Sequence, residues 1–190
     1  MASCPPDPLR LIARIANELS ERQIPFMLIG GQAVKVHGTF RPSAHIGITL
    51  GLAPADFPIL QDTCQAAGLQ VLPEPPERFV WETFVCPVRD ALTGIRVDFI
   101  FSTLPYERQA IGRAIRVEFA GAQVPVATAE DLIIHQLFAG RPDDWDDAIS
   151  VVRRTGPKLD WDYVEAWSRT FATVPGREEM PALVSRLRLE

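Results

Sequence analysis

At 190 residues, 47% hydrophobic and 23% charged, the chain has the composition of an ordinary globular protein, with room for one domain or one domain and a helical appendage. No apolar run reaches the roughly 18 residues of a membrane span, and the N-terminus, with Pro5, Asp7 and Pro8, has no signal-peptide pattern. A cytoplasmic protein with no membrane contact is therefore expected. Cys4, Cys64 and Cys86 are odd in number and widely separated, which argues against a disulfide framework or a cysteine metal site. The net charge of −5 gives no global pull toward nucleic acid, while leaving room for a local basic strip.

In chain order, Asp7-Pro8 has the form of an N-cap followed by proline at the first helical position, and Ile12, Ile15, Ala16 and Leu19 recur at helical spacing. This predicts a helix over 8–22. Ile24-Pro25 ends it and leads to an apolar strand over 26–29, suited to cover on both faces. The strand runs into Gly30-Gly31, a short helical segment, a turn at Arg41-Pro42-Ser43 and the alternating strand His45–Leu50. A glycine pair at such a turn allows close backbone approach to a ligand such as a phosphate, although by itself it is more often a plain tight turn. Pro54 and Asp56 then start a helix carrying Phe57, Leu60, Cys64 and Ala67 inward, stopped by Gly68.

Pro73–Pro76 reads as a loop, followed by an antiparallel hairpin of strands 79–85 and 95–101. In its second strand Arg96 and Asp98 share the more polar face, and a solvated face or an ion pair with a neighbour such as Arg96 is the plain reading of Asp98. A second hairpin is expected over 114–126. Thr128 stands three residues before Asp131 as a capping-box variant, opening an apolar helix that ends at Gly140. Asp143, Asp144, Asp146 and Asp147 crowd the start of the next helix, where the dipole favours negative charge. Two further helices are expected from Asp160 onward, and the four tryptophans read as core or helix-packing residues. The sum is an α/β (α+β) protein: a mixed sheet flanked by helices over 1–127, with a C-terminal helical part, 128–190, packed on it.

Four separated words carry a resemblance. The run from Gly30-Gly31-Gln32-Ala33 through His37-Gly38 and Arg41 to His45-Ile46-Gly47-Ile48 resembles the GG-x-A, HG, R-x-S/T-x-D-x-D signature of the nucleotidyltransferase superfamily. Thr93–Phe101 looks like the strand bearing that family's third carboxylate, here Asp98. Ala129–Leu137 and Ala139–Asp147 look like its following helical motif. The nearest branch is the bacterial AbiEii-like and MenT-like proteins, several of them toxins of toxin–antitoxin pairs. The resemblance covers about residues 24–155. It implies a nucleotidyltransferase-like fold, a pocket for a nucleotide or RNA in which Gly30, Gly31 and Arg41 contact phosphate, and an antitoxin-like protein partner. It leaves the oligomeric state open.

The chain departs from that family where the chemistry sits. Active members place two aspartates on one strand and a third carboxylate on the next, holding two Mg²⁺ ions that position a nucleoside triphosphate. Here His45 and Gly47 occupy the paired aspartate positions and only Asp98 remains. Gln136 stands where relatives carry a lysine, and Asp143 where they often carry Lys or Arg. Hard ions require oxygen ligands in near-octahedral geometry, so the resemblance implies a catalytically degenerate binding or regulatory homologue with no metal expected.

Alternatives follow from the same residues. One is an active Mg²⁺-dependent nucleotidyltransferase moving a nucleotide from a triphosphate to RNA or protein, with Glu82, Asp90 or the Asp143–Asp147 cluster as substitute ligands. Another is a transition-metal site of His45, Asp98 and His37, since imidazole suits Zn²⁺ where Mg²⁺ fails. A purely structural or dimerising role is the last. His135, beside Ile134, reads as a half-buried structural histidine.

Overall fold

The computed structural model describes residues 7–39 and 45–190. They divide into two compact units, 7–28 with 45–126 and 29–39 with 127–190. The second unit is thus broader than the stretch from 128 onward, because the short helix after the glycine pair belongs to it.

The first unit begins with α1 (Pro8–Glu21), whose first turn is capped as the sequence predicts: Asp7 Oδ1 accepts from Leu9 N at 3.0 Å. Its apolar stripe, Leu11, Ile12, Ile15, Ala16 and Leu19, is buried. Burying each of its leucine and isoleucine side chains is worth roughly 1.5–3 kcal/mol before chain entropy is counted. Strand β1 (Phe26–Ile29) is buried along its whole length. In the second unit, α2 (Gly31–His37) follows it after Gly30.

Strand β2 (His45–Leu50) returns the chain to the first unit, followed by a 3₁₀ turn over Pro54–Asp56 and helix α3 (Phe57–Ala66). A short strand β3 (Leu69–Val71) precedes helix α4 (Pro76–Thr83) and strand β4 (Val85–Asp90). A hairpin is present, but its first strand is Val85–Asp90, and the stretch 79–83 expected as strand is helical. Pro76 opens a helix with Glu77 in its first turn, and Phe84 closes it in the left-handed region at φ 58° before the strand begins. Strand β5 (Arg96–Phe101) completes the hairpin, and α5 (Pro105–Arg113), not marked by any strong periodicity, follows. The second hairpin, β6 (Ile115–Phe119) and β7 (Ala122–Val126), turns through Ala120 and Gly121, both at positive φ.

Among the described residues these seven strands form one mixed sheet in the order β3-β4-β5-β2-β1-β7-β6. β2 and β5 are parallel, β4 is antiparallel to β5, and β1 is parallel to β7. Ile46, Ile48, Leu50, Val97, Phe99 and Phe101 line one face and are nearly free of solvent.

In the second unit α6 (Ala129–Ala139) starts on the Thr128 cap, whose Oγ accepts from Asp131 N at 3.2 Å, and ends at Gly140 in the left-handed region. Helices α7 (Asp144–Thr155), α8 (Trp161–Phe171) and α9 (Met180–Leu187) complete it. Buried Asp131 also accepts from Tyr163 Oη at 2.7 Å, tying α6 to α8. Three tryptophans pack as expected: Trp167 lies against Phe171, and Trp145 and Trp161 lie under the guanidiniums of Arg186 and Arg188. Trp81 departs from that expectation, standing 57% exposed on α4. Among the described residues, no helix is long and apolar enough to cross a membrane.

Candidate functional site

The sequence alternation on β2 and β5 becomes geometry through their register. His45 lies opposite Arg96, Gly47 opposite Asp98 and Thr49 opposite Ile100. Opposed residues share a face, so His45, Gly47, Arg96 and Asp98 stand together on the side of the sheet away from the apolar core. β4 extends this face, with Arg89 opposite Arg96 and Pro87 opposite Asp98.

Asp98 is the one carboxylate of the group. Arg96 Nε donates to its Oδ1 at 2.8 Å, and His45 Nε2 lies 3.8 Å from its Oδ2. The ion pair anticipated from the two-residue spacing is thus formed, with a histidine added on the other side. Asp98 is 17% exposed at its side chain, His45 34% and Arg96 50%, so the group opens toward solvent through His45 and Arg96.

The donor set can be tested against a pair of Mg²⁺ ions. Such ions need several oxygens at about 2.0–2.1 Å each. Gly47 offers no side chain, His45 offers nitrogen, and among the described residues no group of three His, Cys, Asp or Glu side chains is placed to hold a metal. The residues present do not fit two hard cations. His37, the third residue of the expected transition-metal site, belongs to the second unit, where its Nε2 donates to the Ala127 carbonyl at 2.8 Å. Burial holds the His37 imidazole below its ordinary pKa, more than offsetting the Ala127 bond.

Of the carboxylates considered as substitute ligands, Asp90, Glu82 and Asp144 each have partners within their own unit. Asp90 is buried, pairs with Arg14, and accepts from both Thr93 N (3.0 Å) and Thr93 Oγ (2.6 Å), closing the β4–β5 turn. Burial tends to raise its pKa, but the Thr93 and Arg14 contacts prevail and hold it below the usual carboxylate value. Glu82 accepts from Arg78 Nε at 2.7 Å, one turn earlier on α4. Asp144 accepts from Arg141 N (2.8 Å) and Nε (3.0 Å), the helix-start role its position implies.

The second unit holds Gly30, Gly31 and Gln136. Gly30 has φ 66° and ψ −154°, a conformation only glycine adopts readily, while a Cβ there would meet nothing within 4 Å. The turn itself therefore requires the glycine. Gln136 is buried and donates from Nε2 to Asp147 Oδ2 at 3.1 Å, joining α6 to α7. Arg41 lies outside the described residues.

Two features of this unit explain sequence words that resemblance alone leaves unexplained. Gly38 sits so close to α7 that a Cβ would come within 2.4 Å of Ser150 Oγ and 3.1 Å of Val151 N. The same contact is sealed by Arg154, which donates to the Gly38 carbonyl at 2.7 Å, and by Ser150, which accepts from Thr39 N at 3.3 Å. The His-Gly word thus fastens α2 to the helices around it. His135 is half-buried on α6 with its Nε2 out of contact with solvent, and burial pushes its pKa down to about 4, against a smaller opposing pull from Asp131.

Sequence reasoning missed Arg89 and Gln70. Arg89 is exposed on the site face, with Nη1 donating to Gly94 O at 3.1 Å, and Gln70 on β3 lies opposite it. With the β4 strand drawn from 79 to 85, neither could be placed beside Arg96.

No family model matches the chain, and no curated protein matches it in sequence. Solved structures do. The chain is similar to the antibiotic-resistance factor ANT(2'')-Ia, solved with adenylyl-2''-tobramycin, at 19% identity and TM-score 0.52, over 96% of this chain and 97% of that one. It is similar to an antigenic nucleotidyltransferase-like protein from Paracoccidioides brasiliensis at 11% identity and TM-score 0.56, over 93% and 91% of the two chains. It is also similar to the lincosamide antibiotic adenylyltransferase LnuA, solved with lincomycin, at 11% identity and TM-score 0.51, over 75% of this chain and 94% of that one. Together with the mixed sheet and its flanking helices, these similarities show that the chain has the nucleotidyltransferase-like fold.

Proposed function

We propose that this chain is a nucleotidyltransferase-fold protein whose site has lost metal-dependent nucleotidyl transfer and serves to bind a nucleotide. The observation that carries the reading is the Gly47–Asp98 pairing: the strand position facing the remaining carboxylate has no ligand to offer. One carboxylate, already bonded to Arg96, cannot hold the two cations that such transfer uses. The four sequence words support placement in the AbiEii-like and MenT-like branch, and with it a regulatory role beside an antitoxin-like protein partner. Its location in the cytoplasm goes with that reading.

The test is a transfer assay. The full chain is incubated with each α-labelled nucleoside triphosphate, Mg²⁺, and RNA and protein acceptors in turn. The expected result is no label transferred above a control lacking the chain. Mg²⁺-dependent labelling of any acceptor, abolished by Asp98→Asn, would overturn the proposal.

A further inference from the structure

The register that removes the metal ligands also assembles something in their place. Across four adjacent strands, β3 to β4 to β5 to β2, one lateral row reads Gln70, Arg89, Arg96, His45. All four share the face that carries Asp98, and all four offer hydrogen-bond donors or can do so. The next row along reads Pro87, Asp98, Gly47, in which the flanking residues are flat or lack a side chain. Adjacent strands are about 4.8 Å apart, so Arg89 and His45 bracket a row roughly 10 Å long.

We propose that this row receives the phosphate chain of a nucleotide directly, with guanidinium and imidazole donors doing what divalent cations do in a metal-bearing site. The inference rests on the nucleotide-binding reading above and names the groups responsible. Two guanidiniums against one carboxylate leave the face positive before any proton is added to His45. Three carboxylates would make the same face an anion-repelling surface until metals filled it. Each arginine retains donors for a ligand: Arg96 bonds Asp98 through Nε, and Arg89 bonds Gly94 through Nη1. A guanidinium has five N–H groups in a planar fork that matches phosphate oxygens, so one bond fixes its orientation and the rest remain to bind. Asp98 is then a positioning residue, holding Arg96 in place at the cost of some of its positive field.

This assignment reverses the sign of the usual Asp98 experiment. If the site worked through metal, Asp98→Asn would abolish nucleotide binding. In a direct phosphate site the same change removes a negative charge beside the ligand, and binding persists or tightens. The experiment is calorimetric titration of ATP, CTP, GTP and UTP into the full chain in EDTA, with inorganic triphosphate as competitor. It is repeated on Arg96→Gln, Arg89→Gln and Asp98→Asn, each checked for folding by circular dichroism. The wild type is expected to bind at least one nucleotide in EDTA, and triphosphate to displace it. Each arginine variant should weaken binding about tenfold or more, and Asp98→Asn should bind at least as tightly as the wild type. Two arginine variants are used because their side chains are exposed and one suffices if the other fails to fold. The inference is overturned if no nucleotide binds in EDTA, if binding survives both arginine changes, or if Asp98→Asn abolishes it. Failure here leaves lost transfer standing, whereas labelled transfer in Mg²⁺ overturns that reading whatever the titrations give.

Discussion

Gly47 stands directly opposite Asp98 in the parallel ladder between β2 and β5, so the carboxylate faces bare backbone across the strand pair. His45, two residues earlier on the same face, places its Nε2 3.8 Å from Asp98 Oδ2. The consequences can be measured one at a time.

Restoring oxygen ligands should restore metal binding. In His45→Asp with Gly47→Asp, period-two alternation puts both new carboxylates on the face of Asp98, one directly across the strand pair and one diagonal to it. Three close like charges destabilise the apo protein and are relieved by a divalent ion, which then stabilises the folded state by mass action. Mg²⁺ or Mn²⁺ should raise the melting temperature of the double variant and leave the wild type and each single variant essentially unchanged. Metal stabilisation of either single variant equal to that of the double would show that Gly47 is not the missing ligand position.

Gly38 should not tolerate a side chain. Its approach to Ser150 Oγ and Val151 N leaves no room for a methyl group, so Gly38→Ala overpacks the α2–α7 contact. Such overpacking typically costs about 1–3 kcal/mol. Urea denaturation should show that loss, and Ser150→Ala in the same chain should recover part of it, because the hydroxyl is the nearer obstacle. Additive losses in the double variant would place the strain elsewhere.

Stability should fall in mild acid because of His135. Its folded-state pKa, about 4, lies below the unfolded value near 6.5, so the unfolded chain binds the proton more readily. The contribution is fully present above pH 6.5 and is lost progressively between there and pH 4. With about 1.4 kcal/mol per pH unit, the loss approaches roughly 3 kcal/mol at the lower end. His37, also lowered by burial, adds to the same slope. Denaturation across this range should be steeper for the wild type than for His135→Leu; equal slopes would mean that His135 is not the titrating group.

Asp90 should matter for stability and not for ligand. It is buried, holds both polar atoms of Thr93 and pairs with Arg14, so Asp90→Ala leaves these partners unsatisfied at a cost of about 1–3 kcal/mol. Nucleotide titration of the folded variant should match the wild type. Loss of binding without loss of stability would give Asp90 a direct role in holding the ligand.

Much of this architecture is legible in the sequence because its signals are local. Asp7 and Thr128 caps, Gly140 as a helix stop, and the alternation of Arg96 through Phe101 each specify structure within a few residues. The stretch 76–84 misleads because its alternating aromatics suit a strand, and what decides for a helix is Pro76 at its start and the left-handed Phe84 at its end. Trp81 stays exposed for the same reason, since Val80 takes the inward position on α4. Gln136 illustrates another limit. Its place in a motif suggests a ligand-facing role, but its bond to Asp147 depends on how α6 meets α7, which no local pattern encodes. The basic row was hidden likewise: Gln70, Arg89, Arg96 and His45 come from four strands and become neighbours only through register.

The most direct measurement is the titration of the unmodified chain with ATP, CTP, GTP and UTP, once in EDTA and once in excess Mg²⁺. The expected result is binding in EDTA that Mg²⁺ leaves unchanged or weakens, since the metal neutralises the phosphates that the arginines would otherwise meet. Binding that appears only with Mg²⁺ would contradict the loss of the metal site.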